Sequence, residues 1–86
     1  MKNKDYNKII ASQLMKYIHQ KKLNINQLAK KSGIRQSTLN NIINGGNVPS
    51  IPTITSICYG LDISIIEFLD VEPFNKKSAQ MDASQN

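Results

Sequence analysis

An all-α fold of five short helices is what this sequence predicts, and three observations carry that reading. Apolar residues recur three and four positions apart over most of the chain. Residues that start helices stand ahead of the periodic stretches, at Asn24, Ser50 and Ser64. Residues that stop helices separate the stretches: Gly33, the run Asn44-Gly45-Gly46-Asn47, and Pro73. With 86 residues the chain is one small domain. A domain of that size buries only about 60% of the surface its unfolded chain exposes, so the core is modest.

Residues 1–5 read as a loose start. From Tyr6 to about Lys21, Ile10, Leu14 and Ile18 fall at i, i+4, i+8 with Tyr17 alongside, which makes one apolar stripe on an amphipathic helix. Lys8, Lys16 and Lys21 lie off that stripe, and Leu23 turns back to the core. Asn24 and Gln27 have capping-box spacing for a second helix over about Ile25 to Ser32. Gly33 suits a left-handed backbone at its end, where a Cβ would cost energy. Ile34 plugs the turn.

The third helix runs from about Gln36 to Asn44 and buries Leu39, Ile42 and Ile43. Ser50 and Pro52 start the fourth as cap and first-turn proline, with Ile51, Ile54, Ile57, Cys58 and Leu61 as its buried stripe. Ser64 and Glu67 form a second capping box that opens the fifth, with Ile65, Phe68 and Leu69 inward. Pro73 ends regular structure. The expected division is a folded domain over 6–71 and a polar tail over 72–86, disordered from Asn75 to Asn86.

Composition narrows the function. A single cysteine, Cys58, forbids an intrachain disulfide and a multi-cysteine metal site, and its place on an apolar stripe makes it a core thiol. His19 has no metal-ligand partner at i+4 and reads as a surface residue. The polar, lysine-bearing N-terminus does not look like a secretory leader, and no run approaches the roughly 18–20 apolar residues of a membrane span. A cytoplasmic protein is expected, with no membrane partner. Paired carboxylates, a phosphate-cradling glycine loop and a nucleophile motif are all missing. The expectation is therefore no enzyme, no cofactor, no metal and no small-molecule ligand.

The net charge of +5 conceals an asymmetry. Residues 1–48 carry nine Lys/Arg against one acid, Asp5, while residues 49–86 carry two lysines against five acids. A chain with one basic half favours a polyanion on that side. The basic half also holds the pattern of a short helix, a tight turn at Gly33 and a second helix with a polar outer face. That is the layout of a helix-turn-helix, which presents its second helix to the DNA major groove.

Leu28-Ala29, Gly33 four residues after the alanine, and then Leu39 and Ile42 carry a more specific likeness. Pro49, the Ile54/Ile57/Leu61 stripe and the Ile63-Ser64-Ile65 step extend it. Over roughly Tyr6 to Asp70 the chain resembles the Cro/phage-repressor class of helix-turn-helix proteins, the Xre family. The resemblance implies a compact five-helix lambda-repressor-like domain that binds double-stranded DNA, regulates transcription as a repressor and works as a homodimer. In that family the start of the third helix reads base edges. The matching outward residues here are Arg35, Gln36, Ser37, Asn40 and Asn41. Their chemistry suits the role, since Gln and Asn pair bidentately with adenine and Arg with guanine. Phosphate contacts are expected from the free N–H groups opening the second helix, from Asn44, Asn47 and Ser50 in the following loop, and from the charges of Lys30 and Lys31.

Two departures from the family stand out. Many members have Gln where Ile25 stands, so that side-chain contact to the DNA backbone is lost. Many also pair an Arg in the first helix with a Glu late in the third; here both positions are apolar, Ile18 and Ile43, and the two are expected to touch. Ile66 is left facing outward near Val71 and Phe74, as a dimer surface or as one exposed residue under the tail. A second function of another class also fits the sequence: a protein-interaction module, such as the antidote half of a toxin–antidote pair, using the tail from Pro73.

Overall fold

The computed structural model describes residues 5–76, and every regular element among them is helical. The order is α1 (Tyr6–Gln20), α2 (Ile25–Ser32), α3 (Gln36–Ile43), α4 (Ile51–Leu61) and α5 (Ile65–Phe68). These bounds lie within a residue of those expected from periodicity and caps. The core sits between α1 and α3 on one side and α2 and α4 on the other, closed by α5. Ile10, Leu14, Leu28, Leu39, Ile57, Leu61 and Phe68 are fully buried within it.

The capping chemistry explains most boundaries. Asn24 accepts the Gln27 N–H at 2.8 Å and Gln27 returns the bond to the Asn24 N–H at 2.9 Å, which is the full reciprocal box. Ser50 accepts the Thr53 N–H at 3.3 Å, with Pro52 in the first turn where a missing N–H is harmless. Gly33 takes φ +73° and donates to the Ala29 carbonyl at 2.9 Å. A Cβ there would meet no atom within 4 Å, so glycine is needed for the backbone angle alone.

Helices α1 and α4 end without glycine. Leu23 N–H bonds to Ile18 O at 3.0 Å and Lys22 N–H to His19 O at 3.1 Å; Ile63 N–H bonds to Cys58 O at 3.0 Å and Asp62 N–H to Tyr59 O at 3.1 Å. Both are Schellman endings. Lys22 and Asp62 take the left-handed position, at φ 58° and 61°. Leu23 and Ile63, just beyond, fold back onto the core.

Two expectations need correction. Ile51 is 60% exposed and not part of the buried stripe of α4, because it is that helix's first residue and precedes the turn that meets the core. At α5, Ser64 accepts the Glu67 N–H at 2.9 Å, but the Glu67 carboxylate does not return the bond, so the box is half formed. Phe74 stacks on Tyr6 of α1, ring centroids 5.6 Å apart. The expected disorder of the tail concerns residues that, from 77 on, lie outside those described.

Candidate nucleic-acid interface

Helix α3 owes its orientation to its two faces. Leu39 and Ile42 are buried and Ile43 packs half-buried beside them, which fastens one side of the helix to the core. The opposite side carries Ser37, Asn41 and Asn44 at i, i+4, i+7, flanked by Gln36 and Asn40. All five side chains are exposed, as is Arg35 at the helix entrance. Among the described residues the α3 surface is therefore a strip of amides and hydroxyls with one guanidinium at its N-terminal end.

That N-terminal end is unusual in one respect. Arg35 occupies the cap position with φ −64° and ψ 144°, but its side chain makes no capping bond. The first backbone N–H groups of α3 thus stay free and add a partial positive charge to the guanidinium. Helix α2 also opens beside free donors: its cap satisfies the Gln27 N–H, leaving those of Ile25 and Asn26. The turn joining the two helices is fixed by Ser32, whose hydroxyl oxygen accepts the Ile34 N–H at 3.2 Å.

The charges divide along the chain as the sequence suggested. Among the described residues, ion pairs form at Lys8–Asp5 (3.8 Å) and Lys76–Glu72 (3.2 Å), both exposed and worth little to stability. Lys16, Lys21, Lys22, Lys30, Lys31 and Arg35 have no carboxylate partner there. Lys30 and Lys31 lie exposed in the last turn of α2, where the helix dipole favours them. Lys31 lines an open cleft with Tyr59, Asp62 and Glu67, so it faces the acidic end of the fold and not the α3 strip.

Asn44 caps the C-terminus of α3, its N–H bonded to Asn40 O at 2.9 Å, and Asn47 is exposed in the loop that follows. One residue that sequence reasoning passed over, Asn7, and one that it read only as part of a helix stop, Gly46, shape this loop. Asn7 of α1 donates from its side-chain amide to the Gly45 carbonyl. Gly46 donates its N–H to the Asn41 carbonyl at 2.9 Å, and a Cβ on Gly46 would lie 3.0 Å from Asn41 Cγ. The glycine pair was legible as a helix stop; the partner on α1, 38 residues away, had no local signal. Exposed Thr38 completes the first turn of α3 and was not singled out either.

The remaining chemistry is sparse. No three His, Cys, Asp or Glu among the described residues are arranged to hold a metal ion. No described helix is long and apolar enough to cross a membrane. Cys58 is buried, and His19 is exposed on α1.

Comparison with known proteins agrees with this geometry. The family model described as helix-turn-helix matches residues 14–68, which spans α2 and α3 and most of the core. The crystal structure of prophage Lp1 protein 11 is similar to the chain with a TM-score of 0.74 and 36% sequence identity, over 90% of this chain and 100% of that one. No curated protein sequence matches. A buried-backed α3 behind a glycine turn, inside a family match that covers more than half of the chain, makes this protein a member of the Cro/C1-type helix-turn-helix family, a DNA-binding regulator of that kind.

Proposed function

We propose that the protein is a sequence-specific repressor that inserts α3 into the major groove of double-stranded DNA as a homodimer. The observation that carries this reading is the α3 strip itself: Gln36, Ser37, Asn40 and Asn41 stand exposed on a helix whose reverse face is locked into the core. Amides held that rigidly can discriminate adenine edges at about 1–3 kcal/mol for each bidentate pair. Arg35 at the helix entrance takes a guanine or a phosphate. The free N–H groups opening α2, with Asn44 and Asn47 in the loop, grip the flanking backbone. Lys30 adds to the attractive field, and Lys31, turned toward Asp62 and Glu67, adds less.

Dimerisation is supported by Tyr59 on α4 and Ile66 on α5, each 80% exposed and, among the described residues, the most exposed large apolar side chains. A second copy covering that end would set two recognition helices about one DNA turn apart and demand a near-palindromic site. Repression follows from occupancy of such a site.

The test is selection of bound duplexes from a random DNA pool at two salt concentrations. An enriched palindromic motif supports the reading, and Gln36→Ala and Asn41→Ala should relax defined positions within it. Salt-sensitive binding with no enrichment sinks it. The protein-interaction alternative gains from one feature, an apolar cleft of about 300 Å³ lined by Tyr6, Val48, Ile51 and Phe74. Deleting residues 75–86 separates the two: a DNA regulator keeps its motif, while a protein that masks its partner through the tail loses that partner.

A further inference from the structure

We infer that Asn7, 38 residues from Gly45 in sequence but bonded to it in space, is a positioning residue for the base-reading amide of Asn41, and that it acts through the Gly45-Gly46 loop; this deepens, and rests on, the DNA-binding reading above.

The linkage is continuous in space. Asn7 sits in the first turn of α1, half-buried. Its Oδ1 accepts the Lys8 N–H at 2.9 Å, which fixes the orientation of the amide and leaves Nδ2 to donate to the Gly45 carbonyl. Gly45 is itself in the left-handed region, φ +76°, with its N–H on the Ile42 carbonyl at 2.9 Å. The next residue, Gly46, bonds back to the Asn41 carbonyl at 2.9 Å. A Cβ added to Gly46 would stand 3.0 Å from Asn41 Cγ and 3.2 Å from Asn41 O, so the Asn41 side chain lies across the bare Cα of Gly46.

The amide of Asn41 is thus supported from beneath by the loop, and the loop is held in place from α1. Glycine pairs are the most mobile of linkers when nothing holds them. Here the peptide unit that joins Gly45 to Gly46 is pinned at both ends, its carbonyl by one side chain and its N–H by one helix carbonyl. Preorganising an exposed amide lowers the entropy lost when it pairs with a base. Neither Asn7 nor Gly46 needs to touch DNA for this to work.

The test uses the full chain and the duplex selected by the wild-type protein. Asn7→Ala and Gly46→Ala are each expected to weaken binding to that duplex by about tenfold, within the range of one bidentate amide contact. The loss should fall at the base pair that Asn41→Ala also relaxes, with binding to unrelated duplex and the salt slope unchanged. The double variant should lose less than the product of the single losses, because both act on one loop. Heteronuclear relaxation of the free protein should show Gly45 and Gly46 loosened in Asn7→Ala while its melting stays close to wild type. If both variants keep the wild-type motif and affinity, the positioning role is overturned and the DNA-binding reading stands. If their losses are uniform over the site and the salt slope drops, the loop grips phosphate only, and the link to Asn41 is overturned. If the wild-type protein selects no motif, the underlying reading fails and takes this one with it.

Discussion

Gln13 of α1 donates from Nε2 to the backbone carbonyl of Phe68 at 2.6 Å, and both residues are buried. Phe68 is the last residue of α5, so its carbonyl has no partner within the helix. Beside it, the Tyr17 hydroxyl donates to Glu67 O at 3.4 Å. Side chains of α1 therefore finish the fifth helix, which is too short to hold itself. Gln13→Leu keeps the volume and strands the Phe68 carbonyl. It should cost about 1–3 kcal/mol, and each kcal/mol lowers Tm by roughly 4–8 °C in a domain this size. A thermal melt checks this, and a variant melting with wild type would show that the bond contributes nothing.

Ile18 is 5% exposed in α1, and Ile43 of α3 is half-buried against the same core while lining a shallow cleft with Ala11 and Met15. A charge at either position alone has no partner. Ile18→Arg should cost about 3 kcal/mol or more, as a buried unpaired charge does. Ile43→Glu keeps some water and should cost less, about 1–2 kcal/mol. Together the two substitutions should recover part of the loss. The measurement is a double-mutant cycle by denaturant unfolding; a coupling indistinguishable from zero means that the two side chains do not meet.

The legibility of this chain follows the range of the forces involved. Ile10, Leu14 and Ile18 could be placed because helical burial repeats at fixed spacing, and Asn24 with Gln27 because a capping bond spans three residues. The outward strip of α3 was equally readable, as the remainder once Leu39 and Ile42 point inward. Gly60 was not. It reads as a poor helix former inside α4, yet a Cβ there would lie 2.9 Å from Leu28 Cδ1 and from Ser32 Cβ, so its bareness lets α2 approach α4. Gln13 and Asn7 were hidden for the same reason: their partners, Phe68 and Gly45, are 55 and 38 residues away. The Schellman endings at Lys22 and Asp62 escaped notice because neither residue is a glycine, the usual sign of a left-handed turn.

Burial first, and then the negative charge of Glu67, push the Cys58 thiol up from its ordinary 9.0 to about 11. The thiolate is the reactive form, so the folded protein should resist thiol reagents at pH 8 and label only as it unfolds. The pH dependence has a definite sign. Between about 9 and 11 the unfolded chain loses this proton while the folded chain keeps it, so stability falls as pH rises through that window. The loss approaches about 2–3 kcal/mol above it, at 1.36 kcal/mol for each unit. Cys58→Ala should show a flatter alkaline profile than wild type in urea melts; parallel profiles would remove Cys58 from the account.

Arg35 holds a cap position without capping it, and its guanidinium is exposed with no ion-pair partner among the described residues. Asparagine is among the best caps, and replacing a good cap with a poor residue typically costs about 1 kcal/mol. Arg35→Asn should therefore stabilise the free protein by a similar amount. The same change removes a cation from the entrance of α3 and occupies one of its free N–H groups. Binding to the selected duplex should weaken. If the guanidinium meets a phosphate, the weakening is even across sequences and the salt slope falls by about 0.9; if it meets a guanine, one position in the motif relaxes and the slope holds. A melt and a binding titration on one variant then move in opposite directions. Arg35→Asn binding as tightly as wild type would mean that this arginine neither reads nor grips DNA, and that its presence at the cap is a cost with no return.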